Sequence, residues 1–469
     1  MPEDCTLAPY NRPLTPIERL FTRSPFSIVS MVARIRGNVT EGMLREALSK
    51  LRQRHPNLRS RIVADEHGNP WLTSQGAGEV ELASAARDSD EHWMRVVQES
   101  SRTPFEFEVR PAMRFMLLQS PDVCDLIILC HHILCDGLSL AYLARDLLLH
   151  LGDPSLHVQP LPDAVPMSLD NLPPAISANA VVRFMIGRMN KKWASEKVVF
   201  DQEDYLNLHR AYWAKYAHQV MSHELSEEQT SALVERCRSH EVTVNSALCA
   251  AFVGAQVAVQ GQKPFHSSLM LAGSLRERLP HPPGEAMGFY AGAVTPKYRY
   301  DPARAFWDNA REFQRQVRPL FTDKNLFEQP LMWCLLDPTI VEAINFKRLG
   351  GLVPAGAPRQ PKLAAFHARD DVVSSILKRE KMDSLQRITT GAAVTNLGRL
   401  DFPRQYGALE LERLIMHPGV GFPLVNFNLV LGAVTCAGKL SLVIEFVEDN
   451  LAALTMRQIR GRALEFLLE

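Results

Sequence analysis

The chain has no surplus of charge: 52 basic side chains stand against 52 acidic ones over 469 residues. That balance removes the bulk attraction that draws proteins to nucleic acid or anionic membranes. A local basic patch that grips a phosphorylated cofactor is still allowed. Also missing is an unbroken apolar run of the ~18 residues that a membrane span needs. The nearest stretch, 242–259, is interrupted by Asn245, Ser246 and Gln256. The opening residues, Met1-Pro2-Glu3-Asp4-Cys5, have neither the positive nor the apolar region of a secretory signal. No CxxC pair occurs among the eight cysteines, and Cys130 and Cys249 fall in apolar runs. They read as reduced core residues, which sets the expectation of a cytoplasmic protein. A chain of this length exceeds one compact core, so two domains of roughly 200 residues each are expected.

What is present concentrates at residues 131–137, His-His-Ile-Leu-Cys-Asp-Gly. The strand-like run Leu126 to Cys130 enters this segment and a helix-like run, Leu138 to Leu149, leaves it. A histidine at the end of a buried strand is held rigidly and can still face a cavity. Near neutral pH its imidazole is poised to take a proton from an alcohol or amine. Asp136 follows His132 by four residues, and Gly137 permits a sharp turn before the helix. Plainer readings exist. The two histidines suit a structural, hydrogen-bonded pair, and Asp136-Gly137 suits a helix N-cap and turn. Cys130, His131, His132 and Cys135 lie close enough in sequence to suggest a metal site. Adjacent strand residues point to opposite faces, however, so His131 and His132 share one ion poorly.

The rest of the chain supplies context. Thr15, Pro16 and Glu18 form a capping box opening a short helix. A strand is expected from Ser27 to Ile35, then an amphipathic helix from Thr40 to about Arg54 with Met43, Leu44, Ala47, Leu48 and Leu51 on one face. It stops at His55-Pro56, and Leu58 to Val63 starts the next strand. Strand Met113 to Leu118, containing Arg114, and a turn at Pro121-Asp122 lead into the motif strand. A polar, proline-rich linker, 153–174, ends the first half. Residues 177–222 read as largely helical, with Tyr205, Tyr212, Trp213 and Tyr216 as packing residues. In the second half, helices are expected at 226–239 and from Thr243, and a strand from Ser267 to Ala272 reaches Leu275-Arg276-Glu277-Arg278. Residues 350–362 form a Gly/Pro-rich loop, Val394 to Arg399 ends a strand, 425–433 pairs antiparallel with 440–447, and helix Leu451 to Leu468 closes the chain.

The HHxxxDG motif, the Leu-x-x-Arg-His-Pro-x-Leu-Arg-x-Arg stretch at 51–61, the Leu-Arg-x-Arg segment at 275–278 and Thr395-Asn396-Leu397-Gly398 occur in one order. This order resembles the chloramphenicol acetyltransferase-like superfamily, which includes condensation domains of nonribosomal peptide synthetases and standalone polyketide-associated acyltransferases. The resemblance covers nearly the full length and looks most like the polyketide-associated branch. Asp401-Phe402-Pro403 lacks the DFGWG pentapeptide of the plant BAHD branch. No carrier or adenylation domain accompanies the motif, so a free-standing enzyme is expected.

The resemblance implies an α/β fold of two lobes, 1–175 and 176–469, each a mixed β-sheet covered by helices, forming a V with a tunnel between. It places the 350–362 loop, or a neighbouring one, across the interface. It implies acyl transfer from a coenzyme A or phosphopantetheinyl carrier-protein thioester, with the donor a co-substrate rather than a tightly bound cofactor. The acceptor is a hydroxyl, or an amine in the amide-forming condensation alternative. A non-catalytic carrier-binding module is the third reading. Residue by residue, His132 matches the general base, and Asp136 matches a carboxylate turned away from the cavity to pair with an arginine, Arg276 first and Arg278 second. His131 and Gly137 support the loop. Asn396 and Thr395 either donate hydrogen bonds near the reacting centre or simply finish a strand. No metal, nucleic-acid partner or membrane span is implied, and a monomer is expected. Cys135 lies at a variable position of the motif, which argues against a cysteine nucleophile.

Overall fold

The computed structural model describes residues 9–162, 164–380, 387–419 and 426–469. Two six-stranded sheets carry the molecule. The first runs, in spatial order, Gln405–Tyr406, Leu409–His417, Ile28–Arg36, Val123–His131, Met113–Gln119, Glu81–Ala86. The second runs Ala291–Val294, Leu269–Ser274, Thr390–Leu400, Phe427–Cys436, Lys439–Val447, His218–Leu225. Both are mixed. Glu81–Ala86 lies parallel to Met113–Gln119 in the first, and Thr390–Leu400 lies parallel to both its neighbours in the second. Helices cover the sheets, as the α/β reading requires. A small three-stranded sheet, Asn11–Pro13, Pro70–Thr73 and Arg61–Ala64, flanks the first lobe.

The motif strand Val123–His131 sits between two partners and is buried along nearly its whole length. A strand covered on both faces reads as a continuous apolar run rather than an alternating one, which is why 126–130 is Leu-Ile-Ile-Leu-Cys. The motif helix Gly137–Gly152 packs Leu140, Leu143, Ala144, Leu147 and Leu151 inward. Helix Glu41–Leu51 buries Leu44, Ala47, Leu48 and Leu51, with Thr40 as its N-cap. Four apolar positions at helical spacing explain this helix without further assumption. Tyr205 and Tyr212 are packing residues, both buried. No single helix among the described residues is long and apolar enough to cross a membrane.

Three features differ from the sequence reading. Pro56–Arg59 forms a 3-10 turn, and the strand starts only at Arg61. Proline at the first position favours the turn, and buried Asn57 fastens it by donating to the Leu134 carbonyl at 3.0 Å. Second, the 350–362 segment is not one loop. It contains a 3-10 turn, Gly350–Leu352, and the start of helix Gln360–Ala368. A Cβ on Gly350 would stand 2.7 Å from the Leu363 carbonyl, so the glycine lets the chain press against its own following helix. Third, strand Leu409–His417 leaves the second half of the chain and pairs antiparallel with Ile28–Arg36 in the first sheet. This crossing strand brings the two sheets together around the site. Gly432 of the second sheet makes room for it, since a Cβ there would meet the Met416 carbonyl at 2.6 Å.

Candidate active site

Where the sheets meet, they enclose a cavity of about 850 Å³, part of it open to solvent. Val29 of the first sheet and His132, just past the motif strand, face Met270, Ala272, Ala293, Ala393 and Thr395 from the second, with Met416 of the crossing strand and Pro418 just after it. The space exists because the inward positions of three second-sheet strands carry small side chains: Ala272, Ala291, Ala293 and Ala393. Valine or leucine there would fill it. Helix Glu328–Leu335 closes one side with Gln329 and Trp333.

His132 follows the last residue of the motif strand and is half-buried. Its Nδ1 lies 3.0 Å from the Cys135 carbonyl. A carbonyl only accepts, so Nδ1 carries the proton and Nε2 is left as the basic nitrogen. Phe21 and Phe289 pack on the ring at centroid distances of 5.2 and 5.5 Å and fix its plane. Burial lowers the imidazole pKa below its usual 6.5, against smaller opposing effects of the Cys135 carbonyl and the Asp136 charge. The ring is therefore neutral near pH 7, the state a proton acceptor needs. His131 points the other way. It is fully buried, its Nε2 lies 3.2 Å from the Ser24 carbonyl and its Nδ1 accepts from the Ile133 N–H at 3.4 Å. Phe105 and Phe107 meet it edge-on, and burial pushes its pKa down to about 3. It holds the strand end in place.

Asp136 is the N-cap of the motif helix, in a capping box with Ser139. Oδ1 accepts from Ser139 N–H at 2.8 Å, Ser139 Oγ at 2.8 Å and Arg276 Nη2 at 2.9 Å; Oδ2 accepts from Tyr290 N–H at 3.1 Å. Burial alone would raise this carboxyl, but Arg276 and the Ser139 N–H hold it below the ordinary aspartate range. Arg276 is itself buried and anchors the 283–290 loop through the Gly284 and Ala286 carbonyls at 2.8 and 2.9 Å. The first-choice partner is thus the observed one. Arg278 instead pairs with Asp323 at the surface.

The structure gives Gly137 a different use from the expected turn, and separates the two alternatives left open for Asn396 and Thr395. Gly137 has no left-handed backbone. A Cβ there would lie 2.9 Å from Leu397 Cδ2, so its value is close approach between the motif helix and the second sheet. Asn396 does not line the cavity; strand alternation turns it away, where it donates to Asn245 Oδ1 at 3.3 Å and accepts from the Gly398 N–H at 2.8 Å. Thr395 lines the cavity in its place. The Cys135 thiol is fully buried and pushed well above its normal range by burial, which leaves little thiolate for nucleophilic attack.

Sequence reading missed Ser139, Glu285, Gln329 and Trp333. Ser139 Oγ sits 2.9 Å from the Gly288 carbonyl and accepts from Arg276 at 2.8 Å. Glu285 binds Arg145 from the motif helix at 2.6 Å and Arg54 at 2.6 Å, a second tie beside the Arg276 clamp. A Ser three residues after an N-cap Asp was a visible signal for Ser139. The other three had no local signal.

Comparison with known proteins agrees with this geometry. Residues 10–151 match the condensation domain family, and residues 214–319 match the family described as phthiocerol/phthiodiolone dimycocerosyl transferase C-terminus. A nonribosomal peptide synthetase of Curvularia clavata is 29% identical over 154 residues, which is 31% of this chain and 1% of that protein. The match thus spans a small fraction of that relative's length. Polyketide synthase associated protein 5 from Mycobacterium tuberculosis superimposes over 98% of both chains, with a TM-score of 0.58 at 17% identity. Trichothecene 15-O-acetyltransferase from Fusarium sporotrichioides does so over 98% of this chain and 95% of its own, with a TM-score of 0.61 at 12% identity. One part of the chain thus matches condensation domains and a later part matches a dimycocerosyl transferase C-terminus, on a fold shared with these solved structures.

Proposed function

We propose that this protein is an acyltransferase that moves an acyl group from a coenzyme A or carrier-protein thioester to a hydroxyl, forming an ester. The observation that carries this reading is His132: Nδ1 is committed to the Cys135 carbonyl, and the ring stands at an apolar cavity between the sheets. In the reaction, the acceptor oxygen attacks the thioester carbonyl carbon while His132 Nε2 takes its proton. The tetrahedral intermediate then collapses, the carbon–sulfur bond breaks, and the imidazolium returns the proton to the departing thiolate. Ester and free thiol result, with no acyl-enzyme. Thr395 Oγ1, which has no hydrogen-bond partner among the described residues, is the candidate donor to the developing oxyanion. Asp136 and Arg276 act as positioning residues that hold the loop bearing His132. The donor is a co-substrate. The cavity's alanine-rich, largely apolar lining suits an acyl chain or a hydrophobic acceptor.

Amide formation is the second reading, favoured by the condensation-domain match over residues 10–151. The test is thiol release from a panel of acyl-CoA thioesters and acylated carrier proteins with alcohol or amine acceptors, wild type beside His132→Ala. Alcohol-dependent release that vanishes in a folded His132→Ala supports the ester reading; amine-dependent release supports the amide one. Release that persists in the variant removes His132 as the base. Carrier binding without release from any thioester leaves a binding module.

A further inference from the structure

Strand register sorts the second-sheet wall of the cavity into two levels. At the first, Ala272 and Ala293 pair directly across neighbouring strands. Thr395 continues that level on the third strand, one position past Val394, the partner of Leu271. Two of these three side chains are alanine, so the wall is broad and shallow there. The second level is two residues back along the Thr395 strand, roughly 7 Å away, at Ala393. Ala393 is in register with Met270 on one side and with Val430 on the other. All three line the cavity.

An alanine between two longer side chains on adjacent strands makes a furrow. The backbones that carry its walls are roughly 10 Å apart, two strand spacings, and the Met270 and Val430 side chains narrow that gap to the width of one hydrocarbon chain. Ala393, Val430 and Phe427 form a small apolar cluster with Met270, separate from the main core. They pack on one another because the cavity stands between them and the first sheet. All four side chains are apolar, and Ala393, Val430 and Phe427 are buried. A charged group laid there is unpaired and costly, and a branch has no room between the walls.

We propose that the furrow over Ala393 receives the acyl chain of the donor, and that Met270, Ala393 and Val430 select linear hydrocarbon acyl groups. This rests on the acyl-transfer reading, which sets the thioester carbonyl beside Thr395. A chain leaving that carbonyl along the strand enters the furrow with its first few carbons. Ala393 is the specificity-determining residue, since any larger side chain fills the furrow from its floor. Linear chains gain apolar contact with each methylene. Branched acyl groups meet Met270 or Val430, and dicarboxylic ones set a carboxylate against apolar walls.

The experiment is calorimetric titration of the full chain with S-alkyl pantetheines of increasing length. These thioethers carry the arm common to both donors and transfer nothing, so binding is read without turnover. Affinity is expected to rise about threefold per methylene. In Ala393→Leu the ratio of S-octyl to S-methyl affinity should fall by about tenfold or more, with an unchanged circular dichroism spectrum. Met270→Ala, which adds no bulk, should bind a branched S-alkyl chain about tenfold more tightly than the wild type does. The proposal is overturned if affinity ignores chain length, or if a carboxyl-ended chain binds as well as its methyl-ended counterpart. A folded Ala393→Leu that keeps the full octyl preference also overturns it. So does an Ala393→Leu that blocks decan-1-ol and spares the S-octyl chain, which gives the furrow to the acceptor. Length-dependent binding without thiol release from true thioesters supports the furrow and sinks acyl transfer alone, so the two failures are distinct.

Discussion

His132 and Asp136 stand four residues apart in one loop, and their surroundings are opposites. Asp136 spends its carboxylate on four hydrogen bonds from Ser139, Arg276 and Tyr290, all inside the protein. His132 makes one, to the Cys135 carbonyl, and turns the rest of its ring to an apolar cavity. One side of the loop is saturated with polar contacts and the other is left short of them. A buried polar group without a partner is costly, so the unsaturated side persists only because the saturated side fixes the backbone. The same division separates Asn396, bonded on the back of its strand, from Thr395, which faces the cavity. The proposed chemistry falls where hydrogen bonding is withheld.

The sharpest test of that division is His132→Ala, which should lower acyl transfer by about 10²- to 10⁴-fold while leaving urea unfolding nearly unchanged. In the wild type, kcat/KM should rise with pH through a midpoint below 6.5, because burial lowers the His132 pKa and the base works only when deprotonated. A midpoint above 6.5 would contradict this assignment. Arg276→Ala should differ from His132→Ala in stability. It strands a buried carboxylate and should cost about 3–5 kcal/mol of stability in urea titration, with activity lost as the loop loosens. If Arg276→Ala were as stable as wild type, the saturated side would not be the support.

Thr395→Val keeps the shape and removes the hydroxyl, with an expected loss of about 10² in kcat and little change in KM. Asn396→Ala should leave kcat almost intact, and equal effects at the two sites would erase the front-and-back contrast. His131 and His209 carry the comparison to pH. Burial lowers both to about 3, against about 6.5 when unfolded. Above 6.5 neither state binds the proton and their contribution is complete; as pH falls below 6.5 the unfolded chain binds protons that the folded one refuses. Stability should drop by up to about 1.4 kcal/mol per histidine for each unit, read as a falling urea midpoint between pH 7 and pH 5. The smallest effect is expected at Cys135→Ala. Its thiol is protonated and enclosed, so thiol release should persist, with a stability loss of about 1 kcal/mol.

Much of this was legible in the chain. The motif strand and helix, the Thr15 and Thr40 caps and the Asp136–Arg276 pair follow from local pattern or from the resemblance. What escaped depends on distance and parity. Nothing near Leu409 announces that its strand belongs beside Ile28–Arg36, because register is chosen by a partner more than 370 residues away. Thr395 and Asn396 are neighbours on an alternating strand, and only knowledge of which face meets the cavity separates them. Gln329 and Trp333 reach the cavity by helix packing, which leaves no mark on spacing. Gly137 was noticed for the wrong reason: the sequence suggested a turn, whereas its use is contact with Leu397.

The crossing strand has a consequence in time. By residue 131 synthesis has delivered four strands of the first sheet, and the remaining two, Gln405–Tyr406 and Leu409–His417, come more than 270 residues later. Until then the Ile28–Arg36 strand offers a bare backbone edge to the cell, open to whatever strand arrives first. The sheet that carries the motif is begun first and finished nearly last. A nascent chain halted between the two moments has no complete lobe to fall back on, and its yield should depend on how well that edge is shielded during translation.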